Sequence, residues 1–182
     1  MDIKAAQADS RSAFVGGGPG VIVSGLVWLA AAAVSQHADI KAAFATLFFG
    51  GMLIVPVATL LERQVFRRPR PSKDNALAAI GFETVFAMIG CLIAAYLLLP
   101  YAPGLVFPVA AIAIGSRYFT FSTLYGKKLF FVLGGAIVAI GAVSIWGRVS
   151  IPGGVTLAVA ITEIAFGLML TFMSLSAKEG AR

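Results

Sequence analysis

The chain has 182 residues, of which 59% are hydrophobic and 12% are charged, and its formal net charge is +6. A soluble domain carries about 25% charged residues to cover its surface, so this composition excludes an ordinary soluble domain. The mean hydropathy of +0.94 and apolar runs of about 20 residues, enough to cross a bilayer core, predict an all-α polytopic membrane protein. We expect a single membrane domain over residues 1–182.

The chain begins with a polar segment, residues 1–13, which lacks a compact basic region, apolar run and cleavage site in succession. We therefore expect a cytoplasmic tail and not a signal peptide. The first span follows and opens with four glycines and a proline in Gly16–Gly20. Glycine removes the side chain that holds two backbones apart, so we expect this run, Gly20 included, to pack closely against another helix.

A basic segment, Leu61–Asp74, divides the apolar sequence. It holds five cations and two prolines, Pro69 and Pro71, which interrupt a helix approaching from either side. Positive charge resists translocation, so the segment is predicted to be a cytoplasmic loop that meets anionic lipid, and nucleic acid is not an expected partner. Among the lysines and arginines, only Lys41 and Arg148 fall in connections that we place on the outer side of the membrane. This asymmetry predicts an inner (cytoplasmic) membrane protein with both termini in the cytoplasm.

The apolar runs predict six spanning helices between residues 14 and 175, joined by short connections. The third is capped by Asp74 or Asn75, and the sixth is followed by a second cytoplasmic tail, residues 176–182. The predicted spans cover Phe14–Ser35, Ala42–Leu61, Ala76–Leu99, Leu105–Tyr125, Leu129–Trp146 and Val155–Leu175.

Two short matches indicate an internal repeat. At a shift of 84 residues, Pro19-Gly20 aligns with Pro103-Gly104, and Gly50-Gly51 aligns with Gly134-Gly135. Two three-span halves related in this way would face opposite directions, which is the inverted-repeat plan of many transporters. The alternative is a chance match, because glycine and proline are frequent in membrane helices. A 3+3 inverted repeat is therefore a hypothesis.

Three ionisable residues fall within the predicted spans: Glu83, Arg117 and Glu163. A charge at the centre of a spanning helix costs about 2.5–3.5 kcal/mol on insertion scales, so each residue needs a partner or a function. A short turn joins the third and fourth spans, which makes a Glu83–Arg117 ion pair feasible, and Glu163 is the other carboxylate within reach of Arg117. The alternative for Glu83 is to extend to water at the inner boundary.

Glu163 is the candidate transport residue, because it lies near the centre of the sixth span and that span holds no basic residue. A desolvated carboxyl at such a depth can carry a proton. Serine and threonine hydroxyls more often bond carbonyls of their own helix, which is the alternative to a lining role. The side chains predicted to line a polar cavity with Glu163 are Thr162, Ser116, Tyr118 and Thr120.

The chain carries no recognisable catalytic motif. It has one cysteine, Cys91, and one histidine, His37, so it cannot form an intrachain disulfide or a multi-histidine metal site. It also lacks a phosphate-binding loop for ATP hydrolysis and has no aspartate in a predicted span. We therefore expect no enzymatic activity, no cofactor and no metal.

The strings GGGPGVIVSGLVWLAAA, FFGGMLIVP and RYFTFSTLYGKKLFFVLG resemble small six-span bacterial integral membrane proteins of a family of unknown function. The resemblance covers the chain from about Gly16 to Trp146. It implies a bacterial multi-pass membrane protein, and it implies no activity, ligand or catalytic residue. A second likeness, in hydrophobic spacing and glycines, is to the six-span acid-stress membrane family.

Two functions from different classes remain open. One is a small transporter or channel, able to work as a homodimer, with Glu163 and Arg117 lining the path. The alternative is a non-catalytic stress or assembly component of the membrane, whose buried charges only lock the helix bundle; a lipid-modifying enzyme has the least support. A cavity at membrane depth that reaches Glu163 would favour the transporter.

The predicted topology can be tested with fusions to a reporter enzyme that is active only in the periplasm. Fusions after Lys41, Tyr101 and Arg148 should be active, and a fusion after Asp74 should be inactive, because the basic segment is retained inside. Activity from the Asp74 fusion would contradict the topology.

Overall fold

Seven helices form the part of the chain described by the structure, a computed structural model covering residues 1–147, 151 and 153–179, with side chains to residue 176. No strand is present in these residues, and α2 to α7 are long and apolar enough to cross a membrane. The predicted all-α fold with six spanning helices is confirmed. The helices are α1 (Ile3–Ala13), α2 (Gly18–His37), α3 (Ile40–Leu60), α4 (Leu77–Leu97), α5 (Val106–Tyr125), α6 (Leu129–Trp146) and α7 (Gly154–Glu179).

Two helix boundaries differ from the prediction by more than two residues. A 3-10 turn, Val15–Gly17, precedes α2, in which Gly16 and Gly17 have φ angles of 63° and 83°. These angles lie in the left-handed region that favours glycine, so α2 begins at Gly18 and later than predicted. At the other end of the chain, α7 continues into residues 176–179, which were predicted to be a tail. Arg148 and residues 180–182 lie outside the described residues.

The N-terminal segment, predicted to be a tail, is the helix α1. The Asp2 side chain caps it by accepting a hydrogen bond from the Ala5 backbone N–H at 2.8 Å. Gln7 donates to the Thr123 carbonyl at 2.9 Å, and Arg11 donates to the Tyr125 carbonyl at 2.7 Å. These carbonyls belong to the last turn of α5, where no intrahelical N–H is available. The helix therefore covers the C-terminal end of α5.

The side chain of Asn75 ties the start of α4 to α1. Its Nδ2 group donates to the Ala6 carbonyl at 2.9 Å, to Asp9 Oδ2 at 2.7 Å and to Ser10 Oγ at 3.0 Å. Its Oδ1 atom accepts a hydrogen bond from the Leu77 N–H at 3.1 Å. The N-cap position of α4 is Ala76, so neither Asp74 nor Asn75 is the N-cap that was predicted. Asn75, one residue earlier, bonds the first helical N–H and holds the N-terminal helix.

The five cations of the basic segment divide into two groups. Arg63 donates to the carbonyls of Ala13, Arg68 and Pro69, and the Arg68 side chain is buried. Arg63 therefore holds the path of the segment through its carbonyl contacts, whereas the buried Nε of Arg68 has no partner among the described residues. The other three cations, whose side chains are exposed, are Arg67, Arg70 and Lys73.

The turn between α5 and α6 closes the end of the bundle that α1 covers. Gly126 has a φ angle of 62°, and a Cβ atom at this position would contact the side chains of Gln7 and Arg11. Lys127, the next residue, is half-buried. Burial lowers the pKa of Lys127, and the neighbouring positive charge of Arg11 lowers it further.

The spanning helices follow one another in the order α3, α2, α7, α6, α5 and α4, each in contact with the next. The sequence neighbours α3 and α4 lie at the two ends of this order, and their backbones barely meet. Both carry many exposed apolar side chains, as expected for surfaces that face lipid hydrocarbon. The bundle is therefore closed on the α7 side and open between α3 and α4.

Two helix pairs pack through glycine. A Cβ atom on Gly25 of α2 would lie 2.9 Å from the backbone nitrogen of Ile164 on α7. A Cβ atom on Gly134 of α6 would lie 2.7 Å from the carbonyl oxygen of Gly115 on α5. Small residues at such positions allow close backbone approach in membranes, where van der Waals packing drives helix association.

The predicted packing of Gly16–Gly20 holds for only part of the run. A Cβ atom on Gly18 would lie 2.6 Å from the backbone nitrogen of Thr171 on α7. No atom lies within 4 Å of a Cβ atom built on Gly20, so the prediction for that residue is wrong. The side of α2 that carries Gly20 faces open space instead of a helix.

We predict that Gly134→Ala lowers stability by about 1–3 kcal/mol, the usual cost of overpacking. The methyl group would meet a backbone carbonyl that cannot move without separating α5 from α6. Gly135→Ala is the matched control, because no atom lies within 4 Å of that Cβ position and alanine favours helix by about 1 kcal/mol. Thermal unfolding in detergent measures both variants, and equal losses would contradict the packing role of Gly134.

Candidate functional site

Glu163 of α7 lies at the centre of the candidate site, and its side chain is 0% exposed. Its Oε1 atom accepts a hydrogen bond of 2.7 Å from the Tyr118 hydroxyl of α5. The Oε2 atom is also buried and has no hydrogen-bond partner among the described residues. Ser24 of α2 adds a third buried polar group, a hydroxyl, beside the Tyr118–Glu163 pair. Three helices thus bring their polar side chains to one point inside the bundle.

Aromatic packing fixes the position of the Tyr118 hydroxyl. The Tyr118 ring stacks on Phe130 of α6, with centroids 6.3 Å apart and an interplanar angle of 18°. The edge of Phe121 packs against the same ring, with centroids 5.6 Å apart. Such pairs restrict ring rotation and stabilise beyond their buried area. The hydroxyl is therefore directed at Glu163 by the fold.

Arg117 extends from α5 to α4. Its Nη2 group donates to the Gly81 carbonyl at 2.9 Å, and its Nε group donates to Thr84 Oγ1 at 3.1 Å. The sulfur of Met88 lies 3.8 Å from Nη1, and the guanidinium carbon lies 4.9 Å from the Phe121 ring centroid. The half-buried guanidinium is thus stabilised by neutral acceptors and a cation–π contact.

The predicted Glu83–Arg117 ion pair is not formed, and Glu83 is not a buried charge. The Glu83 side chain is exposed, whereas Gly81 and Thr84 face α5. Residues three apart share a helix face, and adjacent residues do not. The register of α4 therefore presents Gly81 and Thr84 to Arg117 and turns Glu83 away from it.

A cavity of about 230 Å³ lies between α2, α3, α4 and α5. Most of its wall is apolar and aromatic. It reaches the molecular surface between α3 and α4, because two of its lining residues, Val55 and Phe82, are 56% and 65% exposed. The polar residues in its wall are Ser24, Thr59, Glu62, Arg117, Tyr118 and Tyr125.

Of the four side chains predicted to line a cavity, only Tyr118 is in its wall. The hydroxyls of the other three donate to carbonyls of their own helices: Ser116 to Ile112 at 2.7 Å, Thr120 to Arg117 at 2.7 Å and Thr162 to Ala158 at 2.8 Å. A hydroxyl inside an apolar helix satisfies itself in this way without a partner from another element.

Glu62 is a site residue that the sequence did not single out. It belongs to a π-helical turn, Leu61–Val65, at the inner end of α3, and it is only 4% exposed. Its side chain lines the cavity, and no hydrogen bond to its carboxylate is present in the described part of the chain. π-helical turns occur frequently at functional sites. At a span boundary beside Arg63, the sequence pattern favours a solvated glutamate, so only the fold reveals its burial.

No curated protein and no solved structure matches this chain. One family model does match, over residues 3–173, and its description is a family of unknown function, DUF7010. The match spans α1 and nearly all of the six spanning helices. It confirms the resemblance to a family of unknown function that the glycine-rich and aromatic strings indicated. The chain belongs to the DUF7010 family.

Proposed function

We propose that the protein is a small membrane transporter whose substrate site is the cavity between α2 and α5. The observation that carries this proposal is the connection of the cavity to a fully buried carboxylate. Tyr118 lines the cavity and donates its hydroxyl hydrogen to Glu163, which has a second oxygen without a partner. An ionisable group at membrane depth is costly, and such groups mark ion and proton pathways.

The Tyr118 hydroxyl can couple the cavity to the protonation of Glu163. A hydroxyl has one hydrogen to donate and two lone pairs to accept. With Glu163 ionised, the hydroxyl hydrogen is used in the bond to the carboxylate. With Glu163 protonated, the carboxyl can donate to Tyr118, and the Tyr118 hydrogen becomes free to bond a substrate in the cavity. Substrate binding would then favour one protonation state of Glu163.

The arrangement of helices supports an inverted-repeat plan, in which α2, α3 and α4 correspond to α5, α6 and α7. Each half begins with a 3-10 turn, and each first helix packs on the helix that follows it, α2 on α3 and α5 on α6. Across the halves, α2 packs on α7 and α5 packs on α4. The correspondence exchanges these two contacts with each other, but the contact between α6 and α7 has no equivalent between α3 and α4, so the symmetry of the packing is partial. Transporters with this plan bind substrate near the bilayer midplane.

We also propose that the protein lies in the inner membrane with both termini in the cytoplasm. The exposed cations Arg67, Arg70 and Lys73 are then available to anionic lipid, at about 1 kcal/mol for each charge near the surface. The second candidate function, a non-catalytic membrane component, is supported by Arg117. Its hydrogen bonds join α4 to α5, so a structural role is enough to explain this charge within the bundle.

We predict that Glu163→Gln abolishes proton flux but not folding. Proteoliposomes with an entrapped pH dye measure the flux under an imposed pH gradient, and thermal unfolding measures stability. Glutamine keeps an oxygen acceptor for the Tyr118 hydroxyl but cannot carry a proton, so flux should fall at least tenfold with a small change in stability. Glu163→Leu should also unfold more readily, because it leaves that hydroxyl buried without a partner, at a cost of about 1–3 kcal/mol.

Thr162→Ala is the matched control for Glu163→Gln. Thr162 is the adjacent residue on α7, and its hydroxyl bonds only within its own helix. The proton flux of the Thr162→Ala variant should therefore equal that of the wild type. Normal flux through Glu163→Gln would end the carrier role. A wild-type flux equal to that of protein-free liposomes would favour the non-catalytic component.

A further inference from the structure

The inner end of the cavity contains a carboxylate that the proposed proton coupling does not use. Glu62 is 4% exposed, lines the cavity and has no hydrogen-bond partner for its carboxylate among the described residues. A buried carboxylate is costly unless it is paired. Its own neighbour Arg63 is directed elsewhere, to the carbonyls of Ala13, Arg68 and Pro69. The cavity therefore presents an unused acceptor for a positively charged ligand.

The cavity is long and narrow. Along α2 its lining runs from Gly17 to Trp28, a span of about 16 Å at 1.5 Å per residue. Its volume of about 230 Å³ is below the roughly 300–1,000 Å³ typical of drug-sized sites. This shape suits a single short alkyl chain and excludes a two-chain lipid.

The wall matches the two parts of such a ligand. Two aromatic residues, Phe14 and Tyr125, line the cavity and are packed edge to face, with centroids 6.5 Å apart. Aromatic faces attract ammonium groups, and Tyr125 lines the same cavity as Glu62. The remaining wall is largely apolar, as an alkyl chain requires.

The opening of the cavity indicates where the ligand comes from. The exposed lining residues Val55 and Phe82 lie on α3 and α4, the two helices whose backbones barely meet. An opening between spanning helices faces lipid hydrocarbon, where amphiphiles concentrate. A ligand dissolved in the bilayer can therefore enter the cavity directly.

We propose that the cavity binds a single-chain amphiphilic ammonium ion, with its head group at Glu62 and its chain along α2. This inference rests on the proposed function in one respect only: if the protein is a transporter, this ammonium ion is its class of substrate. Arg117 carries the positive charge of the opposite wall, where its guanidinium is held by Gly81, Thr84 and Phe121. The head group is thus directed to the α3 wall, and a chain with an anionic head is repelled by Glu62.

The fluorescence of Trp28, which lines the cavity, reports binding. Trp146→Phe removes the only other tryptophan, an exposed residue at the end of α6. In this background, reconstituted in nanodiscs of neutral lipid, decyltrimethylammonium, decyl sulfate and decanol are titrated separately. We expect a saturable change with decyltrimethylammonium, and binding at least tenfold weaker for decyl sulfate.

Glu62→Gln should weaken decyltrimethylammonium binding at least tenfold, because a charge-assisted contact in a low-dielectric site is lost. Decanol binding should be unchanged in this variant, which also shows that the cavity is folded. Glu83→Gln removes the same charge from the exposed face of α4 and should bind as the parent does. Gly20→Phe places a ring in the open space beside Gly20 and should block decyltrimethylammonium and decanol alike.

Three results would overturn the site. These are equal decyltrimethylammonium affinity in Glu62→Gln and its parent, decyl sulfate binding as tight as decyltrimethylammonium, or no saturable change in Trp28 fluorescence. If Glu62→Gln also loses decanol binding, the cavity itself is disturbed, and Glu62→Asp becomes the test. This variant keeps the charge and should still bind decyltrimethylammonium more tightly than decyl sulfate. Binding of decyltrimethylammonium without proton flux would support this ligand site and contradict the transporter function. Glu163-dependent flux without binding would support the transporter function and contradict the ligand site.

Discussion

The hydrogen bond between Tyr118 and Glu163 depends on how closely three helices approach one another. The glycines of α2 and α7 bring Glu163 into the interior, and the aromatic packing of α5 on α6 directs the Tyr118 hydroxyl toward it. In hydrocarbon, a carboxyl at this depth is tolerated only when the surrounding protein supplies polar contacts. The bundle supplies the Tyr118 hydrogen bond and places the Ser24 hydroxyl beside the carboxyl, while Oε2 has no hydrogen bond of its own among the described residues. The proposed carrier role rests on this second oxygen.

Arg117 shows the contrasting solution to the same constraint. Its guanidinium is engaged by a backbone carbonyl, a hydroxyl, a thioether and an aromatic ring, all of them uncharged. These contacts hold α4 against α5 while α3 stays apart, so the cavity keeps an opening toward the bilayer. Helix α5 thus carries Arg117 and, in the next position, the tyrosine that bonds the partly unsatisfied Glu163 of α7.

The spanning helices and the basic segment could be predicted because their signals are local: apolar length, clustered cations and helix-breaking prolines. The helix α1 was missed because its alanine-rich, polar sequence forms no apolar run, and its stability comes from distant groups such as Asn75 and the carbonyl of Tyr125. Pairing charges by sign suggested Glu83 for Arg117, whereas the register of α4 presents a carbonyl and a threonine. Glu62 is buried in a π-helical turn that lines the cavity, and neither the turn nor the cavity can be read from a residue beside Arg63 at a span boundary.

The central claim is that the cavity and the Glu163 carboxyl communicate through the Tyr118 hydroxyl. Infrared difference spectroscopy measures this most directly, with the Glu163 band identified by its absence in Glu163→Gln. Addition of decyltrimethylammonium to the wild-type protein should shift that band, and Tyr118→Phe, which removes the connecting hydroxyl, should abolish the shift while ligand still binds. A Glu163 band that is unmoved by bound ligand in the wild-type protein would contradict the account.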